Sequence, residues 1–285
     1  MKPVAPVRPS PIAGTWYEGH PSKLASEVDR YIHEASLPKL DGEVVAVIAP
    51  HAGYLYSGPV AGYAFATVHG MDFDLVAVIS PMHAYYREPI LTSSHEAYST
   101  PLGKISIDRA VVDELDSALR ADIGTGLKPI ANDKEHSLEI ELPFLQRTLN
   151  GEFNLLPIMI SEQTNRIAYT LGTALAKILR GRNALLVGST DLSHFKSRDA
   201  ANKFDQEMLR QVERFSPEGL LKAEENGKGF ACGRGAVATV LYAAKSLGAD
   251  TVKILNYATS GDITGDYDSV VGYGAAVVLK SNQQN

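Results

Sequence analysis

The chain has little of several things, and each scarcity narrows what it can be. It carries one cysteine, Cys232, in 285 residues, so no internal disulfide is available. It carries one tryptophan, Trp16. Lysine and arginine form no run, and the net charge is −6, which argues against a nucleic-acid or an anionic-membrane surface. No apolar stretch approaches the ~20 residues that a membrane span needs. The opening MKPVAPVRPSP has no apolar segment of the secretory kind, so the cytoplasm is the expected compartment. A phosphate-cradling glycine loop and the Gly-x-Ser-x-Gly elbow of many hydrolases are both missing.

What remains is ordinary globular material, 45% hydrophobic and 21% charged. No repeat, linker or low-complexity stretch divides it, and strand-like and helix-like segments alternate throughout. The expected fold is a single α/β domain over residues 1–285, with a central, mainly parallel or mixed sheet flanked by helices. Residues 1–13 are proline-rich and read as an extended surface arm. Trp16 reads as a staple docking that arm onto the core rather than as a site residue. Asp108, Ser161 and Ser216 are expected helix caps, 121–133 a loop, and Pro143 a kink or a break in a helical segment 135–149.

One pattern organises the rest. The apolar run Val44–Ala49 ends in Pro50-His51, Leu75–Ser80 runs into Pro81-Met82-His83, and Leu185–Gly188 runs into Ser-Thr-Asp-Leu-Ser-His194. In open α/β sheets ligands bind outside the carboxyl ends of the strands, so these histidines can converge on one pocket. His51 and His83 lie 32 residues apart, about one βαβ unit. That spacing is expected to put them at neighbouring strand ends, close enough to share a metal.

Asp191 near His194 suits a general base whose tautomer is fixed by a carboxylate; equally, Asp191 can be a helix N-cap with His194 in the first turn. Cys232 precedes a helix and sits beside Arg234, both of which lower a thiol pKa, although a free cysteine is commonly a small buried hydrophobe. His136 and Glu139 are spaced i, i+3 on one helix face, and capping or rim placement accounts for them at least as well as metal ligation.

Taken together, PHAGYLYSG, SPMHAYY, EHSLEIELPF, STDLSHF, CGRG and the late Asn256-Tyr257-Ala258 resemble the Memo family, in order and over residues 14 to about 274. The resemblance implies a fold like that of class III extradiol dioxygenases. It also implies a metal held by His51 and His83, with His194 as acid/base residue. The third ligand position matches Cys232 and not the carboxylate of the dioxygenases. A thiolate there is softer and more easily oxidised. Iron or copper is the implied metal, with zinc as a further candidate. A radical S-adenosylmethionine protein and an Ammecr-type domain protein are the implied partners, and the substrate is a small molecule. Tyr54, Tyr85 and Tyr257 are expected pocket residues, and Asp191 is expected to orient His194. Two other readings stay open: a vestigial cleft that binds a peptide or protein without turnover, and a zinc-dependent hydrolase.

Overall fold

The computed structural model describes residues 5–282. Four parallel strands form its centre, in the spatial order Glu43–Ala49, Ala184–Ser189, Leu75–Pro81, Asn154–Ile160. Their sequences are near-continuous apolar runs because both sides of the sheet are covered. The order shows two interleaved crossovers. Glu43–Ala49 connects through helix Tyr54–Ala66 to Leu75–Pro81, and Asn154–Ile160 connects through helix Asn165–Leu179 to Ala184–Ser189. Each connection skips one strand. The strands that deliver His51 and His83 are therefore not neighbours, as their spacing suggested. Ala184–Ser189 lies between them, because the second crossover threads its strand into the gap left by the first.

Antiparallel strands extend both edges. Val270–Lys280 pairs with Glu43–Ala49 and with Thr251–Thr259, and its start pairs with the short strand His194–Lys196. On the other edge Ile90–Ser93 pairs with Asn154–Ile160 and with Lys128–Ile130, a strand inside the expected 121–133 loop. The α/β domain is thus built on a mixed sheet flanked by helices. Helix Tyr54–Ala66 packs on Val270–Lys280, and helix Arg234–Ser246 packs on Ala184–Ser189 and Leu75–Pro81.

Local signals set most boundaries. Asp108 accepts from the Val111 N–H and Ser216 from the Gly219 N–H, as N-caps do. Pro143 marks the expected break, not a kink: it falls in the first turn of helix Leu142–Thr148, just after the 3-10 helix Glu139–Glu141, where its missing N–H costs nothing. Ser161 is not the cap of helix Asn165–Leu179. Its hydroxyl donates to the Glu88 carbonyl, and Thr164 caps the helix three residues later.

The N-terminal segment departs most from expectation. Residues 1–4 of the expected arm lie outside the described residues. Val7–Arg8 forms a short parallel pair with Ala97–Tyr98, and Arg8 is 1% exposed. Buried carboxylates draw it inward, so this stretch is a structural strap and not a surface arm.

Helices Pro21–Glu34 and Tyr54–Ala66 touch closely at Gly62. A Cβ there would stand 2.3 Å from the Tyr31 carbonyl oxygen, which is backbone and cannot swing away. Gly62→Ala is expected to lower stability by roughly 1–3 kcal/mol through overpacking, despite the better helix propensity of alanine. A urea titration that leaves the midpoint unchanged would show that the two helices separate freely.

Candidate metal centre

His51 follows Ala49 at the end of its strand, and its side chain is almost wholly enclosed, at 1% exposure. Its backbone N–H donates to Asp191 Oδ1 at 2.7 Å, and its Nδ1 lies 2.8 Å from Ser189 Oγ. Ser189 is the last residue of the strand threaded between those of His51 and His83. Its Oγ also lies 2.7 Å from the Ser137 carbonyl and 2.6 Å from Glu141 Oε1. Burial, with the nearby charge of Asp191, pushes the Glu141 carboxyl well above its ordinary range. A neutral Glu141 can donate to Ser189 Oγ, His51 Nδ1–H can do the same, and the single hydroxyl proton is left for the Ser137 carbonyl. That assignment leaves His51 Nε2 as an acceptor facing the pocket. Burial first, and the like charges of His136 and His83 second, hold His51 neutral.

Glu135 governs the other two imidazoles. Its carboxylate is buried and accepts from the His83 N–H at 2.7 Å and from His83 Nδ1 at 2.9 Å. It also accepts from the His136 N–H at 2.9 Å and the Ser137 N–H at 3.0 Å. His136 Nδ1 lies 3.4 Å away. Burial alone would raise this acid; the His83 contact and the backbone donors hold it well below the carboxylate range. In return, Glu135 outweighs desolvation at His83 and raises that imidazole. His136 is lowered to about 4, chiefly by desolvation, which outweighs the pull of Glu135, and with help from the charge of His83. The rings of His83 and His136 stack at 4.7 Å, and His51 stands edge-on to both, at 5.4 and 5.5 Å.

One ring nitrogen from each of His51, His83 and His136 lies within 4.8 Å of the others, a spacing that could hold one metal ion. His136 was left aside in the sequence because Glu-His-Ser-Leu-Glu reads as an ordinary helical stretch. The chain there is instead an irregular turn before the 3-10 helix Glu139–Glu141, and that turn aims the imidazole inward. Glu139, its i+3 neighbour, points elsewhere, to Arg8, Ser10 and Tyr17.

Cys232 lies beside this cluster but outside the three-histidine group. Its Sγ is 3.1 Å from His51 Nε2 and accepts from the Asp191 N–H at 3.2 Å. The expected thiol activation is reversed. Burial, then the charge of Asp191, pushes the thiol well above its ordinary range. Arg234 is spent on Glu224, with Nη1 2.7 Å from the carboxylate, and does not serve the sulfur.

Asp191 does not reach His194 in the way expected. Its carboxylate receives the backbone N–H groups of His51 and Ala52, and burial nevertheless lifts it to about 7. No helix follows it, since His194 opens an edge strand. The His194 ring rests between Phe195 and Phe230, and its buried Nε2 has no partner. His194 follows the carboxyl end of Ala184–Ser189 by five residues, and desolvation, then the charge of His83, lowers its pKa.

The three expected pocket tyrosines have other places. Tyr54 is core, 2% exposed, with its hydroxyl donating to the Ile140 carbonyl. Tyr85 is 92% exposed. The Tyr257 hydroxyl lies 2.8 Å from both Asp205 Oδ2 and Asn202 Oδ1, away from the histidine cluster. Other aromatics line the cleft beside the histidines, which has a volume of about 470 Å³. Trp16, Tyr56, Phe195 and Tyr273 border it, together with Ala52 and Gly53 just after His51. Trp16 is not the core staple expected: its side chain is 37% exposed and its ring lies over His136 at 4.0 Å, and only its backbone carbonyl, accepting from the Tyr54 N–H, ties the strap.

The fold and the site define an α/β protein with a histidine cluster at the carboxyl ends of the central parallel strands of a mixed sheet. The family described as Memo-like protein matches residues 8–277, and the chain belongs to that family. It is similar to a MEMO1 family protein of Methanosarcina mazei, with 33% identity covering 95% of this chain and 99% of the relative. A MEMO1 family protein of Nitrosopumilus maritimus is 31% identical, over 94% and 98% of the two chains. Among solved structures, the uncharacterized protein JW3007 of Escherichia coli K12 aligns with a TM-score of 0.52 at 12% identity, covering 82% of this chain and all of that one. At that identity the likeness speaks for the fold. No helix among the described residues is long and apolar enough to cross a membrane.

Ser189→Ala should expose how the second layer holds the first. It removes the group beside His51 Nδ1 and leaves Glu141 with both oxygens buried and unpartnered. The metal-free variant is expected to lose roughly 1–3 kcal/mol in denaturant titration. Wild-type stability would mean that a water takes the hydroxyl's place.

Proposed function

We propose that the protein is a metal-dependent, oxygenase-like redox protein acting on a small molecule. In this reading His51, His83 and His136 hold the ion, and Cys232 stands next to His51 as a soft, oxidisable fourth donor. The observation that carries it is the tying of imidazole Nδ1 atoms to a buried carboxylate and a serine hydroxyl, which turns other ring nitrogens inward. Metal-ligating histidines characteristically carry such partners, which fix the tautomer and the ring plane. Imidazole suits iron, copper and zinc, and an adjacent thiol favours copper or zinc. A bound iron or copper ion would supply electron transfer; zinc would supply only Lewis acidity.

His194 has the features of a proton carrier: a half-buried ring, a free Nε2, and a place on the same end of the sheet. The aromatic cleft gives a small molecule an apolar wall beside the histidines. The reading also includes a radical S-adenosylmethionine protein and an Ammecr-type domain protein as partners. A zinc hydrolase is the second reading, favoured by one observation: the clustered donors are three imidazoles with no carboxylate among them, as in some catalytic zinc sites.

Metal analysis of tag-free protein tests the proposal. The wild type is expected to retain about one equivalent of iron, copper or zinc. His51→Ala, His83→Ala and His136→Ala should each bind that metal at least about tenfold more weakly. His194→Ala should keep it and lose oxygen consumption with an added reductant. A wild-type protein that binds none of the three metals would leave the cleft as a non-catalytic binding site. Oxygen consumption unchanged in His194→Ala would remove the proton-carrier role. Zinc as the sole metal, with no redox activity, would favour the hydrolase.

In competitive loading, Cys232→Asp should shift preference from Cu(I) and Zn toward Fe(II), because an oxygen donor is harder than sulfur. Equal preferences in wild type, Cys232→Ala and Cys232→Asp would make Cys232 a packing residue only.

A further inference from the structure

Among the described residues Arg8 heads the large side chains that are fully buried, and its polar partners lie far away in sequence. Its Nη2 donates to Asp133 Oδ1 at 2.7 Å and to the Glu135 carbonyl at 2.8 Å, its Nε to Asp133 Oδ2 at 3.2 Å, and its Nη1 to Glu139 Oε2 at 2.5 Å. The guanidinium also lies over the Tyr98 ring, 4.9 Å from its centre. Asp133 Oδ1 in turn accepts the Glu135 N–H at 3.1 Å. Both backbone polar groups of Glu135 are thus held by the Arg8–Asp133 pair. Two more residues of the strap, Ser10 and Tyr17, donate to the other oxygen of Glu139.

We infer that Arg8 is a positioning residue for the pocket: it clamps the segment Asp133–Glu139 so that the Glu135 carboxylate meets His83 and His136 in a fixed orientation. The inference rests on the reading of those histidines as metal ligands and names what keeps them in register. A buried arginine is expensive unless each of its donors is used, and replacing an ion pair by apolar residues often stabilises a protein. Fixing a loop that carries the carboxylate orienting two imidazoles is a role that apolar packing could not fill. Lysine could not fill it either, since its ammonium lacks the planar fork that reaches both oxygens of Asp133 and the Glu135 carbonyl together.

The test uses the full chain and two readouts. Trp16 is the sole tryptophan and lies over His136, so its emission and acrylamide quenching report the strap and the turn in metal-free protein. Titration with Co(II) and Zn(II) reports the donor set. Arg8→Lys is expected to red-shift Trp16, increase its quenching and weaken both metals about 10- to 100-fold. Asp133→Asn, which keeps the Arg8–Glu139 pair, should do the same in smaller measure, and it carries the test if Arg8→Lys does not fold. Leu115→Ala, in the core of helix Arg109–Ile123, is the control: it should lower the melting temperature but leave emission and affinity unchanged. Wild-type emission and affinity in both strap variants would overturn the inference, as would equal losses in Leu115→Ala. If the wild type binds neither metal, the metal reading fails, and Trp16 emission still decides whether Arg8 positions the turn.

Discussion

The burial of one charged carboxylate, Glu135, is the constraint on which the pocket depends. Taking an ion out of water costs several kcal/mol, and the cost is tolerable only when its lone pairs are filled. Glu135 fills them with the backbone N–H groups of residues 83, 136 and 137 and with an imidazole N–H. Each contact fixes something else: the loop after one strand, the turn before a 3-10 helix, and the tautomer of His83. A neutral acid could not accept so many donors equally well. The charge therefore organises the geometry, and the imidazoles inherit their directions from it.

The interleaving of the two crossovers supplies the second half of the site. Had the two strands bearing His51 and His83 paired directly, their histidines would have met without an intervening group. The inserted strand ends in Ser189 and continues to Asp191, so a hydroxyl and a carboxylate enter the gap. Asp191 holds the backbone of His51, and Ser189 holds its ring. Opposite electrostatic regimes then sit side by side. Glu135 and His83 reinforce each other's charge, whereas His51, Cys232 and Glu141 are driven toward neutrality.

Much of this was legible in the sequence, for reasons that are local. Strands buried on both faces must be apolar throughout, so the runs ending near residues 49, 80 and 188 were visible, and so were the histidines at their ends. Caps such as Asp108 and Ser216 are decided within three residues. Strand order is not local, and nothing near His51 or His83 announces the strand between them. Arg8 looked like part of a solvated arm because its partners, Tyr98, Asp133, Glu135 and Glu139, lie far along the chain. His136 was hidden by a helical-looking context; the one available signal was the density of acids in Glu-His-Ser-Leu-Glu-Ile-Glu, more than a buried segment tolerates without purpose. The tyrosines were expected in the pocket because they lie in the motifs that carry the resemblance, which does not decide where a long side chain points.

The sulfur of Cys232 meets His51 across 181 residues of chain, and the His51 N–H meets Asp191 across 140. Contacts of such separation form late, because the loop entropy must be overcome before they reward the chain. The strands on either side of the gap must be docked and the third threaded between them before His51 faces the other donors. A partly folded chain therefore offers scattered imidazoles and a loose thiol, but no cage. For the proposed metal, selection among competing ions would wait until folding ends, with the order of events set by topology rather than by affinity.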